Sequence, residues 1–150
     1  MRVSERYLED FHVGDRFRSG DYTMAEEEMI AYARQYDPQP FHTDAAAAAR
    51  SLFGGLVASG WHTAAVGMRL IAQSEFRVAG GLIGMGVDLL RWPRPVRPGD
   101  TLHVEVEVLE VRPSRSHPDR GIVRVRNTTL NQAGETVQIM ETALFVQRRS

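Results

Sequence analysis

Apolar and polar residues alternate through much of the second half of the chain. The clearest run has four aliphatic residues separated by polar ones: Leu102, Val104, Val106 and Val108. A period of two predicts a strand with one buried face, as in an antiparallel sheet. Turn-forming sequences delimit three more predicted strands, over residues 80–92, 122–130 and 135–147.

The first half shows helical spacing instead. Thr23 and Glu26 have the spacing of a capping box, which predicts the start of a helix. The apolar positions that follow carry this helix to about Tyr36. A turn sequence before it predicts a short strand over residues 16–22.

Prolines and alanines shape the next segment. Pro38 and Pro40 predict an extended, stiff stretch, because proline fixes its own backbone and restricts the residue before it. The run of five alanines that follows predicts a short helix over residues 44–50. Asp44 is the expected cap of that helix.

A longer helix is predicted from Gly60 to about Gln73, with Ser59 as its N-cap. Its apolar residues mark one face and also part of the other: Trp61, Ala64, Ala65, Met68 and Ile71 against Val66 and Leu70. A helix that is apolar nearly all round is normally buried. We therefore expect this helix to lie at the centre of the fold.

Together these elements predict the α+β class. The expected architecture is a single domain over residues 1–150, in which a curved antiparallel sheet wraps around a long buried central helix. Such a sheet leaves an edge strand, and pairing between two copies is a natural way to cover it. We therefore expect a homodimer, or a higher oligomer built from dimers.

Composition narrows the function classes. The 150 residues carry a formal net charge of −1, which gives no reason to expect a nucleic-acid partner. The absence of cysteine excludes disulfides, a cysteine nucleophile and thiolate metal ligands, and the scattered histidines predict no metal site. The mixed-charge start and the lack of a long apolar segment predict no leader and no membrane anchor, so we expect a cytoplasmic protein.

Asp37 and His42 are the first candidates for chemistry. The two prolines between them restrict the backbone, so a carboxylate and an imidazole can be held in a fixed relation. Histidine exchanges protons near neutral pH, and a neighbouring carboxylate can orient it or share the proton transfer. The alternative from the residues alone is that Asp37 caps a turn and His42 is an ordinary loop histidine.

Gly60 is the second candidate. It stands at the predicted start of the central helix, where backbone N–H groups are free and the helix dipole is positive. Without a side chain, it would let a substrate carbonyl approach its N–H and would stabilise an enolate oxygen. Close packing of the helix on the sheet would equally explain a glycine here.

These features, in this order, resemble the MaoC-like dehydratases, the hot-dog-fold group that includes the (R)-specific enoyl-CoA hydratases. The family pattern Gly-Asp-x-Asn-Pro-x-His-x-Asp matches the run from Tyr36 to Asp44, and its later helix-start glycine matches Gly60. An aromatic residue followed by Pro-Val-x-x-Gly-Asp matches Trp92 and residues 95–100. The resemblance spans roughly residues 10–147.

The chain departs from the family pattern at three positions. Tyr36 replaces the glycine before the aspartate, and Gln39 replaces the asparagine. Some (R)-specific hydratases have a supporting serine on the central helix, and the matching position here is Met68.

The resemblance implies reversible syn addition of water to a 2-enoyl-CoA thioester, giving a 3-hydroxyacyl-CoA. It assigns Asp37 and His42 as the acid–base pair and the Gly60 N–H as the oxyanion donor. Phe41, Gly55 and Trp61 are expected to contact the substrate. No cofactor is expected, and coenzyme A enters only as part of the substrate.

Two other functions remain open on the same fold. Hot-dog thioesterases, like the acyl-carrier-protein dehydratases, commonly use an acid on or near the central helix, but the first acid after Gly60 is the distant Glu75. A non-catalytic module that binds acyl thioesters would not need both Asp37 and His42.

Several remaining residues are expected to have structural roles. His62 is predicted to pack in the core or at an interface rather than to line the pocket, and Trp92 is predicted to lie in the core or at an interface. The arginines before residue 99 are predicted to form a solvated face, with binding of the coenzyme A phosphates as the alternative: Arg91, Arg94 and Arg97.

Overall fold

An antiparallel sheet of six strands organises the computed structural model, which describes residues 4–149. The strands are β1 (Arg16–Arg18), β2 (Tyr22–Thr23), β3 (Ile83–Arg91), β4 (Thr101–Pro113), β5 (Arg120–Leu130) and β6 (Thr136–Gln147). Their order is β1-β4-β5-β6-β3, and β2 also pairs with β4. The four predicted strands of the second half are confirmed, and β3 lies at an edge.

The helices lie mainly between β2 and β3. They are α1 (Glu26–Tyr36), α2 (Pro40–Thr43), α3 (Ala45–Ala49) and α4 (Gly60–Ala72), and a short 3-10 helix spans Leu8–Asp10. The predicted caps Asp44 and Ser59 are confirmed, since each side chain accepts a backbone N–H of its helix. No helix within residues 4–149 has the length and apolar character needed to cross a membrane.

The predicted start of the first helix is wrong. Thr23 belongs to β2, where its hydroxyl lies 2.9 Å from that of Thr101. Ala25 takes the N-cap position instead and makes no side-chain cap. The predicted single strand over residues 16–22 is also interrupted, because Ser19 exchanges hydrogen bonds with the backbone of Val104 there.

The predicted extended segment after α1 is only partly correct. Pro40 occupies the first position of α2, a single helical turn that contains His42. Proline is well suited to that position, because its fixed backbone is already helical and the missing N–H would have no partner.

Helix α4 packs on the sheet through one face. Its buried residues are His62, Thr63, Val66, Gly67, Leu70 and Ile71. Gly67 lies directly over the sheet, since a side chain there would meet Val104, Thr129 and Gln138 on three neighbouring strands. The central position of the helix is confirmed.

The opposite face of α4 is open, which corrects the prediction of burial all round. Trp61 is 57% exposed and Met68 is 45% exposed in the single chain. Both faces of the helix have apolar residues at helical spacing. The face with Gly67 packs on the sheet, because a glycine there allows close approach.

Candidate active site

The junction of α1 and α2 brings Asp37 and His42 together. Asp37 follows α1, and its N–H donates to the carbonyl of Ala33. His42 lies in the next turn, with its side chain turned back toward Asp37. The His42 Nε2 atom is 3.4 Å from the Asp37 Oδ2 atom, and His42 is only 7% exposed.

A backbone carbonyl fixes the His42 ring. The Nδ1 atom lies 2.7 Å from the carbonyl oxygen of Val57, which can only accept a hydrogen bond. Nδ1 therefore carries the proton, and in the neutral ring Nε2 presents a lone pair toward Asp37. The Val57 N–H in turn donates to the Phe41 carbonyl at 3.2 Å, so both segments are tied together.

The Asp37 carboxylate is held at both oxygens. The Ser59 hydroxyl donates to Oδ2 at 2.7 Å, and the Gln39 side-chain amide donates to Oδ1 at 3.1 Å. The Ser59 oxygen also accepts the Trp61 N–H at 3.3 Å, so this one residue caps α4 and supports Asp37. These two bonds fix the plane of the carboxylate.

These two supports are not apparent from the sequence. Ser59 was predicted only as a helix cap, because nothing in a capping pattern indicates a second bond to a residue 22 positions away. Gln39 appeared only as a departure from the family pattern. Met68, at the position where the resemblance implies a supporting serine in some hydratases, lies on the open face of α4, and the Asp37 carboxylate accepts the hydroxyl of Ser59 instead.

Gly60 begins α4 beside this pair. Within residues 4–149 its N–H donates to no other group. A side chain at this position would overlap the indole of Trp92, so packing also requires a glycine here. The surroundings of Gly60 are therefore compatible both with donation of its N–H to a substrate oxygen and with a packing role.

These residues open onto a cavity of about 500 Å³. Asp37, Gln39 and His42 belong to its wall, and aromatic and aliphatic side chains form most of the rest: Phe41, Phe53, Val57, Ala58, Trp61, Trp92, Pro93, Pro95, Val96 and Val137. Apolar pockets with a few converging polar groups are typical of small-molecule sites. Of the three predicted substrate contacts, Phe41 and Trp61 line the cavity, whereas Gly55 lies outside it near the Arg97 guanidinium.

The arginines before residue 99 have different surroundings. Arg94 lies at the cavity wall and pairs with Glu135 at 3.1 Å. Arg97 is half-buried and donates to the Phe53 carbonyl at 2.8 Å, so it has a structural role. Arg91 is exposed at the end of β3.

His62 is a second buried histidine, in the first turn of α4. Its ring stacks on Tyr32 at 4.5 Å, and Nε2 lies 3.7 Å from a carboxylate oxygen of Glu28, which also accepts the Tyr22 hydroxyl. Burial lowers the pKa of His62, and the Glu28 carboxylate partly opposes that shift. Within residues 4–149, no three His, Asp or Glu side chains group as metal ligands.

Comparison with known proteins identifies the family and the fold class. The model of the MaoC like domain family matches residues 10–131. A crystal structure of a MaoC-like dehydratase from Rhodospirillum rubrum is 52% identical, with a TM-score of 0.93 over 97% of this chain and 99% of that one. The chain therefore belongs to the MaoC-like domain family, and its hot-dog fold is confirmed.

Two further relatives extend this comparison. The unliganded (R)-hydratase PhaJ1 from Pseudomonas aeruginosa is 31% identical, with a TM-score of 0.76 over 95% of this chain and 86% of that one. An uncharacterised Bacillus subtilis protein, YdeM, is 29% identical over 94% of this chain and 99% of its own length. A hydratase is thus among the structural neighbours of this chain.

Proposed function

We propose that this protein hydrates and dehydrates acyl-CoA thioesters. Water would add in syn fashion to the double bond of a 2-enoyl-CoA and give a 3-hydroxyacyl-CoA. Membership of the MaoC-like family and the likeness to an (R)-hydratase support the reaction class.

The arrangement of His42 and Asp37 carries this proposal. With a proton on Nδ1, the neutral His42 ring presents an acceptor at Nε2, and the Asp37 Oδ2 atom 3.4 Å away is also an acceptor. Two acceptors that face the same point suit a water molecule, which has two hydrogens to donate. The proposed nucleophile is a water held between them.

Proton transfer then needs only this pair. As the water oxygen bonds to Cβ, one of its protons passes to the pair and the double-bond electrons move toward the thioester carbonyl. The pair returns the proton to Cα, so that the sum is the addition of one water molecule. Placed groups of this kind contribute roughly 10²–10⁴-fold to rate.

Gly60 is the proposed donor to the thioester oxygen. Its N–H stands at the positive end of α4 and has no acceptor among residues 4–149, so it could bind the negative charge that develops on the enolate. The thioester itself acidifies the α-position, so the proposal includes no metal or redox cofactor. Coenzyme A enters as part of the substrate.

We also propose that the protein is a homodimer. The edge strand β3 exposes Ile83, Met85 and Val87, and the open face of α4 exposes Trp61 and Met68. Exposed apolar residues on a sheet edge are typical of an association surface. Light scattering after size-exclusion chromatography should give twice the chain mass, and a monomer at micromolar concentration would contradict this proposal.

The reaction is tested with a panel of 2-enoyl-CoA thioesters. Loss of enoyl absorbance with formation of a 3-hydroxyacyl-CoA is the expected result, and chiral analysis gives the product stereochemistry. Asp37→Asn should abolish most of the turnover. Thiol release without hydration would instead indicate a thioesterase, and binding without turnover would indicate a non-catalytic module.

A further inference from the structure

Trp92 forms part of the cavity wall and packs against Gly60. Its indole ring lies where a side chain of residue 60 would project, and it meets the Trp61 ring edge-on at 5.4 Å. A carbonyl oxygen bound to the Gly60 N–H would therefore lie beside this indole. The atoms joined to that carbonyl carbon would have to fit in the remaining space.

A buried amide holds the indole in place. The Trp92 Nε1–H donates to the Gln138 Oε1 atom at 2.9 Å. Gln138 is 2% exposed and lies on β6, next to the wall residue Val137. Hydrogen bonds of buried polar groups are costly to lose, so this bond restricts how far the ring can turn away.

The surroundings of Gln138 restrict the movement of its side chain, and therefore that of the indole bonded to it. Its side chain lies under Gly67 and close to Thr129, its register partner on β5. These residues, with Asn127, line a small cavity of about 10 Å³ under α4. The amide thus lies between close-packed neighbours and presents its oxygen to Trp92.

We propose that Trp92 is a specificity-determining residue, which limits the bulk of the acyl group next to the thioester carbonyl, and that Gln138 is its positioning residue. The inference rests on the proposed role of Gly60. It predicts a preference for acyl groups without a branch at the α-carbon.

The test compares hydration of 2-butenoyl-CoA with that of 2-methyl-2-butenoyl-CoA. The wild-type protein should favour the unbranched substrate in kcat/KM. Trp92→Leu should reduce the ratio of kcat/KM for the unbranched substrate to kcat/KM for the branched one by roughly tenfold, about what one methyl group is worth in a close-fitting pocket. Trp92→Phe, which keeps a ring but lacks the N–H, is the milder variant if Trp92→Leu fails to fold.

The role of Gln138 is tested by a double-mutant cycle. Gln138→Leu should lower the ratio in the wild-type background and have no further effect with Trp92→Phe, because the bond is already absent. Thr142→Val is the matched control, since it removes another buried side-chain bond on β6, to the carbonyl of Gly86, and should leave the ratio unchanged.

A binding assay separates failure of this inference from failure of the proposed reaction. Calorimetric titration with butanoyl-CoA and 2-methylbutanoyl-CoA measures the same discrimination without turnover. Discrimination that depends on Trp92 but occurs without hydration would overturn the proposed reaction and support the specificity role of Trp92. A folded Trp92→Leu variant with the wild-type ratio in both assays would overturn the specificity role, and an equal effect of Gln138→Leu in both backgrounds would overturn the positioning role.

Discussion

The two buried histidines of this fold differ in what surrounds them. His42 is 7% exposed and His62 is 4% exposed, so burial does not distinguish them. Both ring nitrogens of His42 face defined partners, the Val57 carbonyl and the Asp37 carboxylate. The His62 Nδ1 atom has no partner within residues 4–149, and its ring is stacked on Tyr32.

Hydrogen-bond partners, rather than burial, therefore distinguish the two histidines. His42 has a fixed tautomer and lines the cavity, whereas His62 is not among the residues that line it, and burial is the main influence on its pKa. The region around Asp37 and His42 is therefore expected to govern turnover. The region around His62 is expected to govern stability.

The largest predicted effect comes from replacing each of the two histidines by asparagine in a separate variant. His42→Asn should lower kcat/KM for the preferred 2-enoyl-CoA by roughly 10²–10⁴-fold, because the proton acceptor is lost. His62→Asn should lower it by less than about tenfold. Comparable losses in two folded variants, checked by circular dichroism, would remove the distinction between the regions.

Ser59→Ala is predicted to have the next largest effect. The change removes a hydrogen bond to a charged group, roughly 1.5–3 kcal/mol, so kcat should fall about 10- to 100-fold. Loss of the cap should also lower the free energy of unfolding by about 1 kcal/mol.

Asp44→Ala is the matched control for Ser59→Ala, because it removes the cap of α3 and has no contact with the Asp37 carboxylate. Urea unfolding and steady-state kinetics should show a stability loss with little change in kcat. If the two variants lost activity equally, capping alone would explain the effect of Ser59→Ala.

Gln39→Leu should have a smaller effect of the same kind. Its bond to Asp37 is 3.1 Å long and lies at the exposed side of the carboxylate, where water can replace it. We expect a loss of kcat of roughly threefold to tenfold. Gln35→Leu, an exposed change on α1, serves as the control, and equal rates for both variants would exclude the supporting role of Gln39.

The smallest effect is a pH dependence of stability at His62. Because burial lowers its pKa in the folded protein, the unfolded chain binds a proton first as the pH falls through about 6.5. The unfolded state then holds more protons, so stability decreases between that pH and the folded-state pKa. Above about pH 7 His62 is largely neutral in both states, so its titration no longer lowers the free energy of unfolding.

This effect is measured by urea unfolding of the wild-type protein and His62→Asn at several pH values between about 7.5 and 5.5. The difference in the free energy of unfolding between them should narrow as the pH falls. A difference that stays constant would show that His62 does not titrate differently in the two states.

Much of this fold could be predicted from local patterns. Alternation gave the strands β4 to β6, and the run of apolar residues after Ser59 gave α4, because these signals depend on neighbours in sequence. The closeness of Asp37 and His42 followed from a short, proline-restricted connection. Their distance of 3.4 Å agrees with that prediction, and their catalytic role remains a proposal.

The bond from Ser59 to Asp37 is a tertiary contact between residues 22 positions apart, which no local pattern contains. The bond from Trp92 to Gln138 joins residues 46 positions apart. The open face of α4 was also unpredictable, because Val66 and Met68 are both apolar and only packing on the sheet distinguishes them. Likewise, Thr23 matches a capping signal, but it belongs to β2, which pairs with β4.

The contact between Gly60 and Trp92 makes these two positions interdependent during sequence change. Alanine at position 60 alone would drive a methyl group into the indole, although its N–H would remain. The same exchange would be tolerated in a chain that already had a smaller residue at position 92. A new residue at the start of this helix can therefore become established only after position 92 has changed, so the order of mutations is constrained.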